Sequence, residues 1–330
     1  MFPLFAPPAF ADWLLVGNKS DDTVQMITLP AGRVHATLPT GAGPHEIAVS
    51  PDGRLAVVTN YGRGAAPGRT LTVIDVLAAR VAATIDLGEY RRPHGIEWLP
   101  DGRHVVLTAE DNRALLVVDV TERSVVGAIE TGQDVSHMLA LTPDAARAFI
   151  ANIGSGSVSV IDLARRVLLA TVPTGAGAEG VAVTPDGREV WVTNRAANTV
   201  TILDAHTMHP LAAVAACDFP IRVRFMPQGG QALVTCARSD ELVVYDRATR
   251  AIAHRIPLAL GAEVAQGRLL TFGRSSVPIG VLVAPDGARV YVAHANGDVV
   301  SIIDTNSWER VGLIRTGREP DALGYSTAGP

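Results

Sequence analysis

The sequence predicts an all-β fold, a seven-bladed β-propeller built from four-stranded antiparallel blades. Three observations carry the prediction. A turn motif recurs at Pro51-Asp52-Gly53, Pro100-Asp101-Gly102, Pro143-Asp144-Ala145, Pro185-Asp186-Gly187, Pro227-Gln228-Gly229 and Pro285-Asp286-Gly287, in steps of 49, 43, 42, 42 and 58 residues. The commonest step, 42 residues, is the length of a four-stranded blade. The same strand-like segments return around every turn, and the two chain ends hold complementary parts of one more unit.

Each unit opens with an apolar strand such as HEIAVS. The turn follows, where Pro presets φ and Gly accepts the left-handed backbone that closes a hairpin. A second strand comes next, LAVVTN or EVWVTN, and then a third ending in aspartate: LTVID, LLVVD, VSVID, VTILD, LVVYD, VSIID. A short turn leads to the fourth, such as RVAATI. These segments are rich in Val, Ile and Thr, as pleated, half-buried surfaces prefer, and helical periodicity is nearly absent. The N-terminus supplies WLLVGN, TVQMITL and RVHATL, strands two to four of the seventh unit; EPDALGYS at the C-terminus supplies its first strand. Pairing the two closes the ring and removes an open sheet edge. Asp75, Asp119, Asp162, Asp204, Asp246 and Asp304 recur in every complete unit, so they are expected to cap the following turn rather than to do chemistry. Residues 12–330 therefore read as a single propeller domain and residues 1–11 as a leader remnant or tail.

The 330-residue chain is 48% hydrophobic and 18% charged, with a net charge of -5. That balance leaves no electrostatic footprint for nucleic acid. No apolar run reaches the roughly 18 residues of a membrane helix. Ala9-Phe10-Ala11 has the small-x-small form that ends a secretory leader, which points to a periplasmic or secreted protein, or to a cytoplasmic one if the segment is no leader. A monomer is expected. There is no Gly-rich phosphate loop, no Cys-x-x-Cys and no Gly-x-Ser-x-Gly, so nucleotide binding and serine hydrolysis lack their motifs.

The segments PHEIAVSPDGRLAVVTN and AEGVAVTPDGREVWVTN, with the VID-type strand ends, resemble the YVTN-repeat (YncE-like) propellers over residues 13–326. The resemblance implies an extracytoplasmic propeller. Some relatives accompany quinoprotein dehydrogenase systems, and related seven-bladed folds hold copper or haem.

Because the unit repeats, each copy is a control for the others. Six residues before the turn proline, where strand one begins, the copies read His45, His94, His137, Glu179, Ile221 and Ile279, and matching EPDALGYS to GPHEIAVS adds Asp321. Five consecutive blades thus present Asp, His, His, His and Glu at one mouth of the central channel. Nine residues after the proline stand Asn18, Asn60, Ala109, Asn152, Asn194, Cys236 and His294. Asparagine there suits a bond to its own backbone at a strand-to-loop corner. Cys236 and His294 break the pattern in adjacent blades. Three residues before the proline stand Glu97 and Arg224, where other copies have Ala48, Ala140, Ala182, Leu282 and Leu323. They read as a charged pair lining the channel, or as holders of a ligand carboxylate. Two insertions, of 5 residues in YGRGAAPGR and of 16 within ALGAEVAQGRLLTFGRSS, fall on the histidine-bearing face. Functional residues collect on variable loops above a rigid scaffold, which makes this upper face the expected site.

Neutral imidazoles with a carboxylate bind Zn, Cu, Fe or Ni, so His45, His94 and His137 with Asp321 or Glu179 suit a transition metal, Zn or Cu. A reduced Cys236 beside His294 would favour copper; alternatively Cys236 joins Cys217 in a disulfide. A histidine near a carboxylate also serves acid–base work without metal. Arg92, with Tyr90, Arg91, Arg63, Lys19, Arg195 and Arg238 on the same face, suits an anionic small molecule. Two functions follow. The first is a non-catalytic exported propeller that binds a small ligand or protein partner at the upper mouth. The alternative is a metal-dependent hydrolase, lyase or oxidoreductase built on the histidine ring.

Overall fold

The computed structural model describes residues 12–261 and 269–329. The segment read as a leader remnant, and part of the longer insertion, lie outside the described residues. Seven four-stranded antiparallel sheets form. Blade one combines the C-terminal strand Pro320–Ser326 with Asp12–Asn18, Thr23–Leu29 and Arg33–Pro39. Blades two to seven span residues 44–86, 93–130, 136–173, 178–215, 220–257 and 278–315. The ring is closed as expected: Leu14 pairs with Tyr325 and Leu15 with Gly324. The same register places Gly324, not Leu323, level with Ala48, because Ala48 pairs with Val57 as Gly324 pairs with Leu15. The assignment of Leu323 to that row is therefore corrected by one residue.

The first strands of successive blades stand side by side around the axis. They approach closely, and a Cβ on Gly280 would lie 2.0 Å from the Asp321 carbonyl oxygen of the next blade. The apolar core lies between blades. One cluster joins Val57, Leu71 and Ile85 of blade two to Trp98, Val105 and Leu116 of blade three, and each fully buried side chain of this size contributes about 1.5–3 kcal/mol. The turn aspartates act as expected, with Asp119 Oδ1 accepting from Glu122 N at 2.9 Å and Asp162 Oδ1 from Arg165 N at 2.8 Å.

The corner asparagines do something other than expected. Asn152 Nδ2 donates to Ser157 and Ser159 at 3.1 and 3.0 Å, and Asn194 Nδ2 to Thr199 and Thr201 at 3.0 and 2.9 Å. They tie strand two to hydroxyls of strand three instead of bonding their own backbone. The shorter insertion is likewise no loose loop. It prolongs strands two and three of blade two into a hairpin, Leu55–Arg63 with Ala66–Asp75, which stands over the upper face.

Candidate site at the channel mouth

Strand one begins at the upper mouth in every blade, so the row of strand starts converges on the axis. His45, His94 and His137 lie together, with ring centroids 4.0 Å apart for the first pair and 3.5 Å for the second. All three are buried, and His94 has no exposed surface. Asp321 Oδ2 stands 3.3 Å from His45 Nδ1, and Glu179 Oε1 stands 3.5 Å from His137 Nε2. The five residues singled out at this level thus form one cluster.

A second row completes it, from the position one past the corner asparagine. Lys19 Nζ donates to His45 Nε2 at 2.9 Å. Tyr61 OH donates to Glu110 Oε2 at 2.6 Å, and the other oxygen of Glu110 meets His137 Nδ1. Arg195 Nη1 lies 2.6 Å from Glu179 Oε2. One residue below the histidine row, Arg222 reaches across the axis from blade six to Glu46 of blade two, at 2.6 Å.

The protonation states follow from these partners. Burial, and then Lys19, hold the His45 imidazole well below its usual pKa. Burial, and then the neighbouring His137 and His45, do the same to His94. Both rings are therefore neutral near pH 7. Burial also opposes charge on His137, but Glu110 and Glu179 outweigh it and raise its pKa. Burial works against the charged form of Glu179 too, yet His137, Arg195 and Arg222 bring its pKa down to about 2. Asp321 is pushed up to about 6 by burial, in spite of Lys19 and Arg222.

His94 stands apart from this network. Among the described residues neither of its ring nitrogens has a hydrogen-bond partner. Leaving a buried polar group unpaired costs about 1–3 kcal/mol, and such groups nearly always have a partner. His94, His137 and Glu110 each offer a ligand atom within 4.8 Å of the others, and so do His45, Glu46 and His94. The donor set of two imidazoles and a carboxylate suits a borderline transition metal.

Other predicted residues lie elsewhere. Arg92 is at the upper rim, where its guanidinium sits 5.0 Å over the Tyr61 ring and 3.3 Å from Asp111. Glu97 and Arg224 are not at this mouth. They line a cavity at the opposite end of the channel, beside the turn residues Pro51 and Pro185. Three residues of strand advance the chain by about 10 Å, which carries these positions away from the histidine row. His294 lies apart from the other histidines and belongs to no group of three ligand side chains among the described residues; Nδ1 meets Ser276 Oγ at 2.8 Å and Nε2 meets Ser301 Oγ at 2.7 Å. It replaces the corner asparagine and repeats its link to strand three. Cys236 is excluded as a metal ligand, because it forms a disulfide with Cys217, Cα to Cα 5.8 Å, and has no thiolate to offer.

Glu46, Glu110, Tyr61 and Arg222 were not singled out from the sequence, yet the repeat contains their signal. Lys19, Tyr61, Glu110 and Arg195 occupy one equivalent position, next to the asparagine row, and Glu46 and Arg222 occupy another, next to the histidine row.

Comparison with known proteins gives the fold a wider setting. A model of the cytochrome D1 heme domain matches residues 100–224, well under half of the chain. Comparison with curated proteins returns no match. Three solved structures are similar. The periplasmic gluconolactonase of Pseudomonas aeruginosa has a TM-score of 0.76 and 19% identity, covering 97% of this chain and 100% of that one. A protein of Desulfotomaculum acetoxidans, described as functionally unknown, has a TM-score of 0.78 and 15% identity, covering 95% and 98%. Kuenenia stuttgartiensis hydrazine synthase has a TM-score of 0.73 and 18% identity, covering 87% and 90%. A haem does not fit the channel mouth as these side chains fill it. His94 is wholly buried and its ring lies 3.5 and 4.0 Å from its neighbours, which leaves no space for a macrocycle between them. What the chain shares with these proteins is the β-propeller architecture.

Proposed function

We propose that the chain is an exported, YVTN-type propeller whose upper channel mouth holds a divalent transition metal, Zn or Cu, and presents it to a small ligand. The observation that carries this reading is His94, a buried neutral imidazole with both nitrogens unpartnered, packed between His45 and His137. His94, His137 and Glu110 would hold the ion, with His45 beside them; His137 would give up its proton and its bond to Glu110 as the metal binds. Such an ion would give a buried nitrogen a partner and would supply Lewis-acid chemistry at this level of the channel. Export is supported by the Cys217–Cys236 disulfide, which suits an oxidising compartment, and by the periplasmic description of one structural neighbour.

Binding is favoured over turnover because the nearby carboxylates are engaged. Glu46 pairs with Arg222, Glu110 is held by Tyr61 and His137, and Glu179 by His137 and Arg195. None of these three is left as a free general base; Asp321, whose Oδ2 stands beside His45 while Oδ1 has no hydrogen-bond partner among the described residues, is the one carboxylate that could serve turnover.

Elemental analysis of protein purified without a histidine tag tests the reading. About one Zn or Cu per chain is expected, lost in the His94→Ala/His137→Ala double variant, as removal of clustered ligands should cause. Metal-free protein that takes up neither ion on dialysis would contradict it. Metal-dependent hydrolysis of gluconolactone, the substrate class named by one neighbour, would contradict the non-catalytic part alone.

A further inference from the structure

The opposite mouth of the channel holds a second feature that the metal reading leaves unused. A cavity of about 590 Å³ opens there, lined by the first strands of all seven blades. The level three residues before the turn proline is apolar or glycine in five blades: Ala48, Ala140, Ala182, Leu282 and Gly324. In the remaining two it is Glu97, from blade three, and Arg224, from blade six. Five copies without charge show that a blade does not need one at this level. Blades three and six lie across the ring from each other, and no ion pair joins Glu97 to Arg224 among the described residues. An apolar funnel thus carries one carboxyl and one guanidinium on facing blades, near enough to feel each other's charge but with no side-chain hydrogen bond or ion pair to either among the described residues.

We propose that the lower mouth is a second small-molecule site, for a zwitterion with an apolar body such as an ω-amino carboxylate. Arg224 takes the carboxylate, because a guanidinium offers paired donors in a plane that matches it. Glu97 takes the ammonium. The Ala, Leu and Gly rim covers the methylenes between. Burial pushes the pKa of Glu97 up to about 7, with Arg224 and the Leu141 backbone acting against it. Arg224 is the other charged group lining the cavity. Tyr325 also lines it, but its hydroxyl donates to Asp12 at 2.5 Å. Binding of an ammonium requires the ionised carboxylate, so affinity rises with pH. From about pH 6 to pH 8 the ionised fraction of a group of pKa about 7 grows roughly tenfold, and affinity grows with it.

Calorimetric titration of the full chain with γ-aminobutyrate, ε-aminocaproate and ω-aminooctanoate tests this, with hexanoate and hexylamine as controls. At least one amino acid should bind, and at least tenfold more tightly than either control. Arg224→Leu and Glu97→Ala, which restore residue types found in other blades, should each weaken binding at least tenfold without lowering the melting temperature. Glu97→Gln should remove the pH dependence. His94→Ala/His137→Ala should leave binding unchanged, which separates this site from the metal site. No binding of any of the three amino acids, equal binding of hexanoate, or binding insensitive to Arg224→Leu would overturn the proposal. A fall in melting temperature in both variants without any binding would assign the two charges to stability instead.

Discussion

His294 occupies a corner that Asn18, Asn60, Asn152 and Asn194 fill in other blades, and it is wedged between two serine hydroxyls with no exposed surface. Burial, and then Arg310, bring its pKa down to about 3. The unfolded chain binds a proton at this residue below about pH 6.5, whereas the folded chain binds it only near pH 3, so acidification through this window favours unfolding. His294→Asn should keep the fold and remove one proton from the linkage, flattening the loss of stability by about 1.4 kcal/mol per pH unit between roughly pH 6 and pH 4. Denaturant titrations across that range measure it, and an unchanged slope would show that His294 is not the group responsible. The same residue shows the limit of reading a row of repeats. A histidine breaking an asparagine pattern looks like a ligand until its two nitrogens are seen to copy the asparagine's bond to strand three. His45, His94, His137, Glu179 and Asp321 were legible as one cluster because strand starts at a shared register must meet at the axis. Glu110 and Tyr61 were less legible, because their row, from Lys19 through Ile153 and Arg195 to Ala295, shares no residue type that marks it. Glu97 and Arg224 were legible as residues that line the channel; which end they line follows only from the advance of about 10 Å over three strand residues.

At the scale of elements, the disulfide and the hairpin hold the upper loops. Cys217, in the loop entering blade six, is 19 residues from Cys236 at the end of that blade's second strand. Closing a loop of this length restricts the unfolded chain by about 3 kcal/mol in the chain-entropy model. Reduction, or Cys217→Ala/Cys236→Ala, should therefore lower unfolding free energy by about that amount while leaving bound metal unchanged. Extra metal taken up on reduction, and absent from the Cys217→Ala/Cys236→Ala variant, would instead return Cys236 to the list of ligands. The pairing was one of two readings open in the sequence, because spacing alone does not give the distance between Cα atoms. The hairpin of blade two was visible as an insertion of 5 residues, but not as ordered strand. It grows from Tyr61, a position every blade has, whose hydroxyl donates to Glu110 of the next blade, so the hairpin rises directly from the site it overlooks.

The whole molecule depends on a ring that the chain closes with its last strand. The number of blades and the closure were legible because the turn motif recurs and the two ends complete one unit. The side-chain network at the mouth was only partly legible, because contacts such as Arg222 to Glu46 join residues 176 apart across the axis. A chain ending at Glu319 lacks Pro320–Ser326 and leaves the edge of Asp12–Asn18 unpaired. It should aggregate or unfold without a single cooperative transition, as size-exclusion chromatography and thermal melting would show. A monomer melting as sharply as the full chain would mean that closure contributes little. The central claim, a metal on the axis between histidines of successive blades, is tested most directly by anomalous diffraction from crystals grown with Zn or Cu. The predicted result is one strong peak at the upper mouth, about 2 Å from ring nitrogens of His94 and His137. A metal-free mouth in which ordered waters satisfy both nitrogens of His94 would contradict it.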